Sequence, residues 1–485
     1  MSAGLLWLSR NFRFSDNPAL LAALADGPLL AVFCLDARTK ALGAAPRWRL
    51  QRALQAFDAG LKKRGAGGVL IVAAEPEEAL PALMQAVGAA RVHQADWPEP
   101  QTRGQQARLR ARIGAGLVLH PGHLLAHPAA LRTGQGGVYK VFTPFANALR
   151  RLGAERPAPD APARITGYAP PPLPFPTIPI AALALAPDMR RGGPVLARHA
   201  LPAGEDAAFA RLEDFLDRVG DYASTRDRPD IDATSGLSEH LALGEISPRS
   251  IWARAQIQAE ADPGRESAIG KFLSEVIWRE FAWHLLISFP DMPHAPWRGE
   301  WADFPWRGPG PDLDAWVQAR TGVALVDAGL REMWVTGRMH NRVRMVVASW
   351  LTKNLLTHWH HGLAHFEACL TDWDPAANAM NWQWVAGCGP DASPYFRVFN
   401  PEKQAADYDP KGLYRRRWLA GYQGATGEEA TAFLNAAPLS WSPAPRWSAG
   451  DPDRISGGRT RAHAALERFR QASTVASTVA STGDE

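Results

Sequence analysis

Three short stretches of this chain hold acidic, basic, amide and indole side chains at spacings that would let them act together. In Ser274-Glu275-Val276-Ile277-Trp278-Arg279, a helix would put Glu275, Trp278 and Arg279 on one face at i, i+3 and i+4. A carboxylate, a flat aromatic and a guanidinium then project together, a set able to hydrogen-bond, stack and pair charge. An ordinary amphipathic helix carrying one Glu–Arg pair would read the same way. Around Met339-His340-Asn341-Arg342-Val343-Arg344-Met345, Asn341 and Met345 share a helical face while Arg342 and Arg344 point elsewhere. In Asn378-Ala379-Met380-Asn381-Trp382-Gln383-Trp384 the tryptophans are spaced i, i+2, so in a helix one looks along the core and the other toward a cavity. With 19 tryptophans in the chain, core packing is the ordinary explanation for each taken singly.

The elements that must position these residues fall into two unlike halves. Apolar runs at 5–8, 29–35, 69–73, 91–94 and 117–120 alternate with helix-patterned segments at 47–61, 76–87 and 101–113. This βαβ alternation predicts an α/β Rossmann-like domain over residues 1–130, with a parallel sheet covered on both faces. Its glycine-rich stretch, Gly65-Ala66-Gly67-Gly68, precedes a strand, whereas a dinucleotide fingerprint follows one and opens a helix; it reads as a turn. Residues 131–205 read as an interdomain connector, proline- and alanine-rich from about Pro157 to Gly204. Residues 206–470 show helical periodicity, many tryptophans and no strand alternation, which predicts an all-helical C-terminal domain. The tail 471–485 repeats ASTV, has nothing to bury and reads as disordered.

Composition excludes several classes of function. The 485 residues are 46% hydrophobic and 21% charged, the profile of a folded chain with room for a large core. Cys34, Cys369 and Cys388 show no C-x-x-C spacing and are too few for a disulfide framework, a zinc site or an iron–sulfur cage, so no metal is expected. Such cysteines fit a reducing cytoplasm. The opening MSAGLLWLSRNFRFSDN lacks the pattern of an export signal, and the longest apolar run, Pro176 to Pro187, is too short to span a bilayer. A cytoplasmic chain with no membrane partner is therefore expected. The net charge of +4 does not by itself identify an anionic partner.

Taken together, the same stretches resemble the photolyase/cryptochrome family, and most of all its class I cyclobutane pyrimidine dimer photolyases. The similarity runs over nearly the whole chain. WLSRNFRFSDNPAL from Trp7 resembles the family's opening strand–loop–helix, and VYKVFTPFANAL from Val138 its exit into the connector. Tyr222, Arg226 and Thr234-Ser235-Gly236-Leu237-Ser238 before LALGEISPR match the segment that wraps FAD. The resemblance implies a photolyase fold with FAD, working as FADH⁻, among Tyr222, Thr234, Ser235, Gly236, Leu237, Ser238, Phe272, Glu275, Arg279, Arg344, Asp372 and Asp374, with Asn378 at flavin N5. It implies that Trp278 and Trp384 flank a flipped dimer, that Asn341 and Met345 touch its bases, and that Glu275 hydrogen-bonds a thymine as negative charge develops. Arg226, Arg342, Arg397 and Gln404 would hold the phosphates beside the lesion, positioning without reading sequence. Trp306, Trp359 and Trp382 match the family's electron-transfer chain between flavin and surface. The implied activity is light-dependent repair of UV-damaged DNA by a monomer. Excited FADH⁻ donates an electron to a pyrimidine dimer flipped out of the duplex, its two bonds split, and the electron returns; extrusion of the target is a general property of photolyases.

Two positions depart from the family pattern. Repair members often carry Asn-Asn-Gly-Gly before the last tryptophan pair, whereas this chain has Asn378-Ala379-Met380-Asn381. Folate-binding relatives use an Asn-Glu pair after the fourth strand, where this chain reads Gln101-Thr102. That argues against a folate antenna and leaves a deazaflavin, or no antenna, open. Asn378 stands where plant-type cryptochromes carry Asp, and Met339-His340 where a (6-4) photolyase would carry His-His; both favour cyclobutane dimer repair. The second reading is an FAD-binding blue-light photoreceptor, a cryptochrome without repair activity. The third, a non-catalytic nucleic-acid binder, would leave the Trp306–Trp359–Trp382 set without a role.

Overall fold

The computed structural model describes residues 2–170, 172–391, 398–450, 457, 460–469 and 471. Five strands, β1 (Gly4–Leu8), β2 (Leu29–Cys34), β3 (Val69–Val72), β4 (Val92–Ala95) and β5 (Leu117–His120), form one parallel sheet in the order β3-β2-β1-β4-β5. The sequence predicts all five strands, β4 one residue earlier. They read as unbroken apolar runs because both faces are covered. Leu6, Leu8, Ala31 and Phe33 meet Leu20 of helix α1 (Pro18–Asp26) and Leu54 and Phe57 of α2 (Ala44–Lys63). The alternate residues Leu5, Trp7, Leu30 and Val32 meet Leu80 and Leu83 of α3 (Pro76–Val87) and Leu109 of α4 (Pro100–Ile113).

The proline-rich stretch after the sheet is not free-standing. Leu29 donates to Thr166 and Tyr168 donates back to Leu29, while Ala73 donates to Pro176, so the connector adds backbone partners to β2 and β3. Within it lies a helix, α5 (Phe142–Leu152), whose Phe145, Ala146 and Leu149 are buried at i, i+3/i+4 spacing. Beyond the connector no further strand occurs among the described residues, only helices. Those that frame the site are α6 (Ser238–Leu243), α7 (Glu266–Ser288), α8 (Ala324–Thr336), α9 (Asn341–Ser349), α10 (Trp359–Cys369), α11 (Pro375–Ala386) and α12 (Pro401–Tyr408). α11 packs against α7, α9 and α10, and α5 against α7.

The two halves are locked by buried charge. Arg49 of α2 has no exposed side-chain surface; it donates to Glu239 at 3.0 Å and to Glu245 at 2.9 Å, both equally buried. Burial alone would lower its pKa, but the two carboxylates raise it. His240 shares Glu245, and Gly204 donates its backbone N–H to the same carboxylate. Nearby Arg249 pairs with Asp16 at 2.7 Å, and Asn11 donates its backbone N–H to Leu243 at 2.9 Å. Gly244 sits in that contact with φ +64°, and a Cβ there would lie 2.7 Å from Asn11 N.

Removing Arg49 strands two carboxylates away from water. Arg49→Met should therefore lower the unfolding free energy by about 3–5 kcal/mol. Chemical denaturation measures this, and adding Glu239→Gln and Glu245→Gln to the same chain should recover part of the loss.

Candidate active site

Helix α7 sends its three candidate residues to three different partners. Glu275 forms an ion pair with Arg226, whose guanidinium also lies 5.4 Å above the Tyr222 ring. Trp278 stacks on Phe142 with ring centroids 3.5 Å apart and planes 2° from parallel. Arg279 donates to the His123 carbonyl at 2.9 Å and to Glu280 at 3.0 Å, and so reaches across to the loop after β5. The shared helical face of the sequence is real, but tertiary contacts divide it. Phe272, one turn before Glu275, is buried 6.3 Å from Tyr222.

α9 supplies the second wall. His340 caps it, accepting from the Arg342 N–H, and burial pushes the histidine's pKa down to about 4. Asn341 is exposed, and Met345, one turn on, is partly buried. Arg344 grips Asp372 with 2.8 and 3.0 Å contacts. Arg342 pairs with Asp227 at 2.9 Å and lies 4.6 Å over Tyr408 of α12, the helix that also carries Gln404. Arg397 lies outside the described residues.

α11 closes the third side. Asp374 caps it, accepting from Ala377 N at 2.8 Å and from Trp283 Nε1 at 3.0 Å, and its burial raises the carboxyl's pKa. One turn later Asn378 is half-buried, and its side-chain amide makes no hydrogen bond among the described residues. Trp384, also half-buried, is carried by the same helix. The backbone N–H groups of Thr234, Ser235, Gly236 and Leu237 likewise meet no protein acceptor among the described residues. Arg211 holds this loop from behind by donating to the Ser235 and Thr234 carbonyls, and Gly236 takes φ +62° within it. Consecutive free amides leading into α6 at Ser238 make a concavity for an anion.

The three candidate electron carriers are not in simple ring contact. Trp382 is buried with its ring 4.9 Å from Phe366 and 6.2 Å from Trp316. α10 approaches it so closely that a Cβ on Gly362 would lie 2.1 Å from the indole. Trp359, on that helix, is buried; Trp306 is half-buried, and His358 stands 5.5 Å from each. Burial, with His360 and His361 nearby, lowers the His358 pKa to about 4, so it is uncharged at neutral pH.

Residues 4–163 match the family described as DNA photolyase, and residues 272–469 match the FAD binding domain of DNA photolyase. A deoxyribodipyrimidine photo-lyase of Agrobacterium fabrum is 37% identical over 420 residues, 86% of each chain. One from Thermus thermophilus is 35% identical over 442 residues, 89% of this chain and 96% of the relative.

The chain belongs to the DNA photolyase family.

Its activity is the family's light-dependent DNA repair, and its helical half is an FAD-binding domain. The solved class III photolyase of Agrobacterium tumefaciens superposes with a TM-score of 0.83 at 34% identity, covering 96% of this chain and 97% of that one. The motifs resemble class I members, and the solved neighbour is a class III photolyase; the family is common to both. A cryptochrome of Synechocystis superposes at 0.78 and 26% identity over 94% of this chain and 98% of that one. No described helix is long and apolar enough to cross a membrane. FAD fits the residues present: the four unpartnered amides suit a pyrophosphate, and the Asn378 amide is free to meet a flavin ring atom.

Sequence reasoning missed the residues contributed from outside the helical half. His123 sits 3.6 Å from Trp97 and 4.6 Å from Trp283, ring centroid to ring centroid, and Arg10 lies 5.1 Å over Trp97. Burial and the neighbouring arginines hold His123 well below its usual range, hence neutral beside Arg279. Only a fold brings these together, because their spacings in sequence carry no period. Phe142, which backs Trp278, has no such period either.

Buried Glu280 has its carboxyl pushed up to about 7 by burial, opposed by Arg279 and by the Leu125 N–H that donates to it at 2.7 Å. A folded value above the usual 4.5 means the contribution to stability is complete below 4.5 and is lost as pH rises through about 7. Between those pH values the wild type should therefore lose roughly 3 kcal/mol relative to Glu280→Gln. Unfolding curves of both proteins across this range test it, and parallel curves would exclude Glu280 as the titrating group.

Proposed function

We propose that this chain splits cyclobutane pyrimidine dimers in UV-damaged DNA, with the lesion held between α7, α9 and α11 and FAD bound by the same helical half. The observation that carries the reading is that these helices pack on one another, α7 and α9 both against α11. Those three helices carry Glu275 and Trp278, Asn341 and Met345, and Trp384, which supports reading their carboxylate, amide, thioether and two indoles as the lining of one site. When bound, reduced FAD supplies the photoexcited electron that opens the dimer and to which that electron returns. The chain's own residues bind, orient and stabilise. Thr234, Ser235, Gly236, Leu237 and Ser238 offer N–H and hydroxyl groups to the FAD phosphates, and Tyr222 and Phe272 line their approach. Arg279, Arg344, Asp372 and Asp374 border the flavin and ribityl groups. Asn378 would meet the flavin ring with an amide that need not change its own charge.

Trp278 and Trp384 stack on the two bases, Asn341 and Met345 touch their edges, and Glu275 faces a thymine carbonyl as charge develops there. Arg226, Arg342, Arg397 and Gln404 hold the flanking phosphates. Arg226 and Arg342 each have an acidic partner in the protein, Glu275 and Asp227. A phosphate that engages Arg226 draws it from Glu275, leaving that carboxyl for the base. We read Trp382, Trp359 and Trp306 as the electron path to solvent, with neutral His358 bridging the last two. A monomer in the cytoplasm suits three cysteines that are buried as free thiols. Residues 1–130, 131–205 and 206–470 are taken as the antenna domain, connector and catalytic domain, with 471–485 as a tail.

Repair of a defined dimer under blue light, with flavin reduced beforehand, tests the assignment. Glu275→Ala should keep its flavin yet lower the quantum yield of splitting, because the carboxyl acts on the developing anion; an unchanged yield would remove Glu275 from the catalytic set.

A second pair of variants separates the electron path from the lesion pocket. Trp306→Phe should abolish light-driven reduction of oxidised flavin but repair normally once the flavin is reduced, since phenylalanine is much harder to oxidise than indole. Trp278→Ala should photoreduce normally but bind the dimer more weakly by about 1–3 kcal/mol, the range for base–aromatic stacking. Normal photoreduction in Trp306→Phe would route the electron through another tryptophan.

A further inference from the structure

We propose that Phe142, carried by the connector, is a positioning residue for the lesion: it backs Trp278 so that one face of the indole, and one plane, is presented to the dimer. The idea rests on the reading of Trp278 as a wall of the lesion site. Phe142 lies parallel to Trp278 at 3.5 Å and 2°, and both rings stand edge-on against buried Phe281, at 5.9 and 6.0 Å. Such a three-ring corner fixes the tilt of the indole as well as its position, because a face-to-face contact on one side and an edge contact on another constrain its plane from two directions.

The backbone that delivers Phe142 is held at both ends of the site. Tyr139 donates its N–H to His284 Nε2 of α7 at 3.1 Å; burial lowers that histidine's pKa to about 4, which keeps the nitrogen able to accept. Phe142 donates its own N–H to Asp391 Oδ1 at 3.2 Å, and Asp391 donates back to the Lys140 carbonyl at 3.3 Å. Asp391 adopts φ +60°, a left-handed conformation uncommon for a residue with a side chain, and Arg298 donates to its carbonyl. It follows Trp384 by seven residues, just past the end of α11. The connector thus ties the Trp278 wall to the segment leaving the Trp384 wall, setting the two against each other. Phe142 belongs to the residues 4–163 matched as DNA photolyase, whereas Trp278 and Trp384 belong to the FAD-binding match. A half with no assigned part in lesion contact therefore supplies one layer of the lesion stack.

The test is equilibrium binding of the full-length, FAD-loaded protein, in the dark, to an oligonucleotide duplex with one cyclobutane thymine dimer and to its undamaged counterpart. Phe142→Leu keeps an apolar side chain but loses the plane; it should bind the dimer about fivefold more weakly, the size of one aromatic pair, with undamaged duplex unchanged. Phe142→Tyr should restore wild-type affinity. Phe142→Leu combined with Trp278→Ala should be no weaker than Trp278→Ala alone, since the two act as one unit. Should the leucine variant lose its flavin absorbance, Phe142→Met carries the same expectation. If Trp278→Ala weakens dimer binding while Phe142→Leu binds it as tightly as wild type, or more tightly, the proposal is overturned and the lesion-wall reading survives. Tighter binding would mean that the phenyl ring stands where a base should. Equal losses for damaged and undamaged duplex also overturn it. If Trp278→Ala itself leaves dimer binding unchanged, the lesion-wall reading fails first.

Discussion

The arrangement of this protein turns on one buried guanidinium. Arg49 comes from the α/β half, yet its carboxylates, Glu239 in the first turn and Glu245 two residues past the end, belong to the short helix whose entry loop presents the free amides of residues 234–237. Glu239 also accepts from Thr371 at 2.8 Å, and Thr371 immediately precedes Asp372, the partner of Arg344. A single desolvated ion cluster therefore sets the amide loop and the Asp372 turn relative to each other. Its cost is paid by mutual satisfaction: a carboxylate left alone at this depth would be far more expensive than the cluster is stabilising.

The site is consequently composite. The helical half carries the long stretches of functional residues, but the first half and connector hold them in register through Arg10, His123 and Phe142. Trp283 shows how closely the two are fitted. Its indole N–H is spent on Asp374, the cap of α11, while its ring meets His123 and Trp97 from the loops after β4 and β5. A movement of the α/β half would reach the start of the helix that carries Asn378, Trp382 and Trp384.

Charge within the site is balanced pair by pair rather than by an overall excess. Arg344 with Asp372, Arg342 with Asp227 and Arg226 with Glu275 each join residues distant in sequence. Their burial differs, and with it their meaning. Asp372 is held at 5% side-chain exposure and behaves as part of the framework, whereas Glu275 at 32% is partly screened by water and contributes little to stability. The same chemistry thus serves as scaffold in one pair and as an adjustable contact in another.

Much of this was legible in the chain itself. Strand runs such as 29–35 and helical runs such as 76–87 follow from local periodicity, and the sheet's parallel character follows from apolar runs too continuous for a one-sided strand. The motif residues Glu275, Trp278, Asn341, Asn378 and Trp382 could be named because the stretches that carry the family resemblance are contiguous in sequence, although their helical spacing alone reads equally as ordinary packing. What the chain could not reveal is where each side chain ends. Glu275, Trp278 and Arg279 share a helical face in sequence but are drawn to Arg226, Phe142 and His123, partners 49, 136 and 156 residues away. Similarly, of the tryptophans read as one chain, Trp306 and Trp359 each stand 5.5 Å from His358, whereas Trp382 packs on Phe366 and Trp316. Periodicity determines which residues face together, because helix geometry is local. Tertiary packing decides what they face, because that depends on where buried charge and rings from distant segments can be satisfied at once.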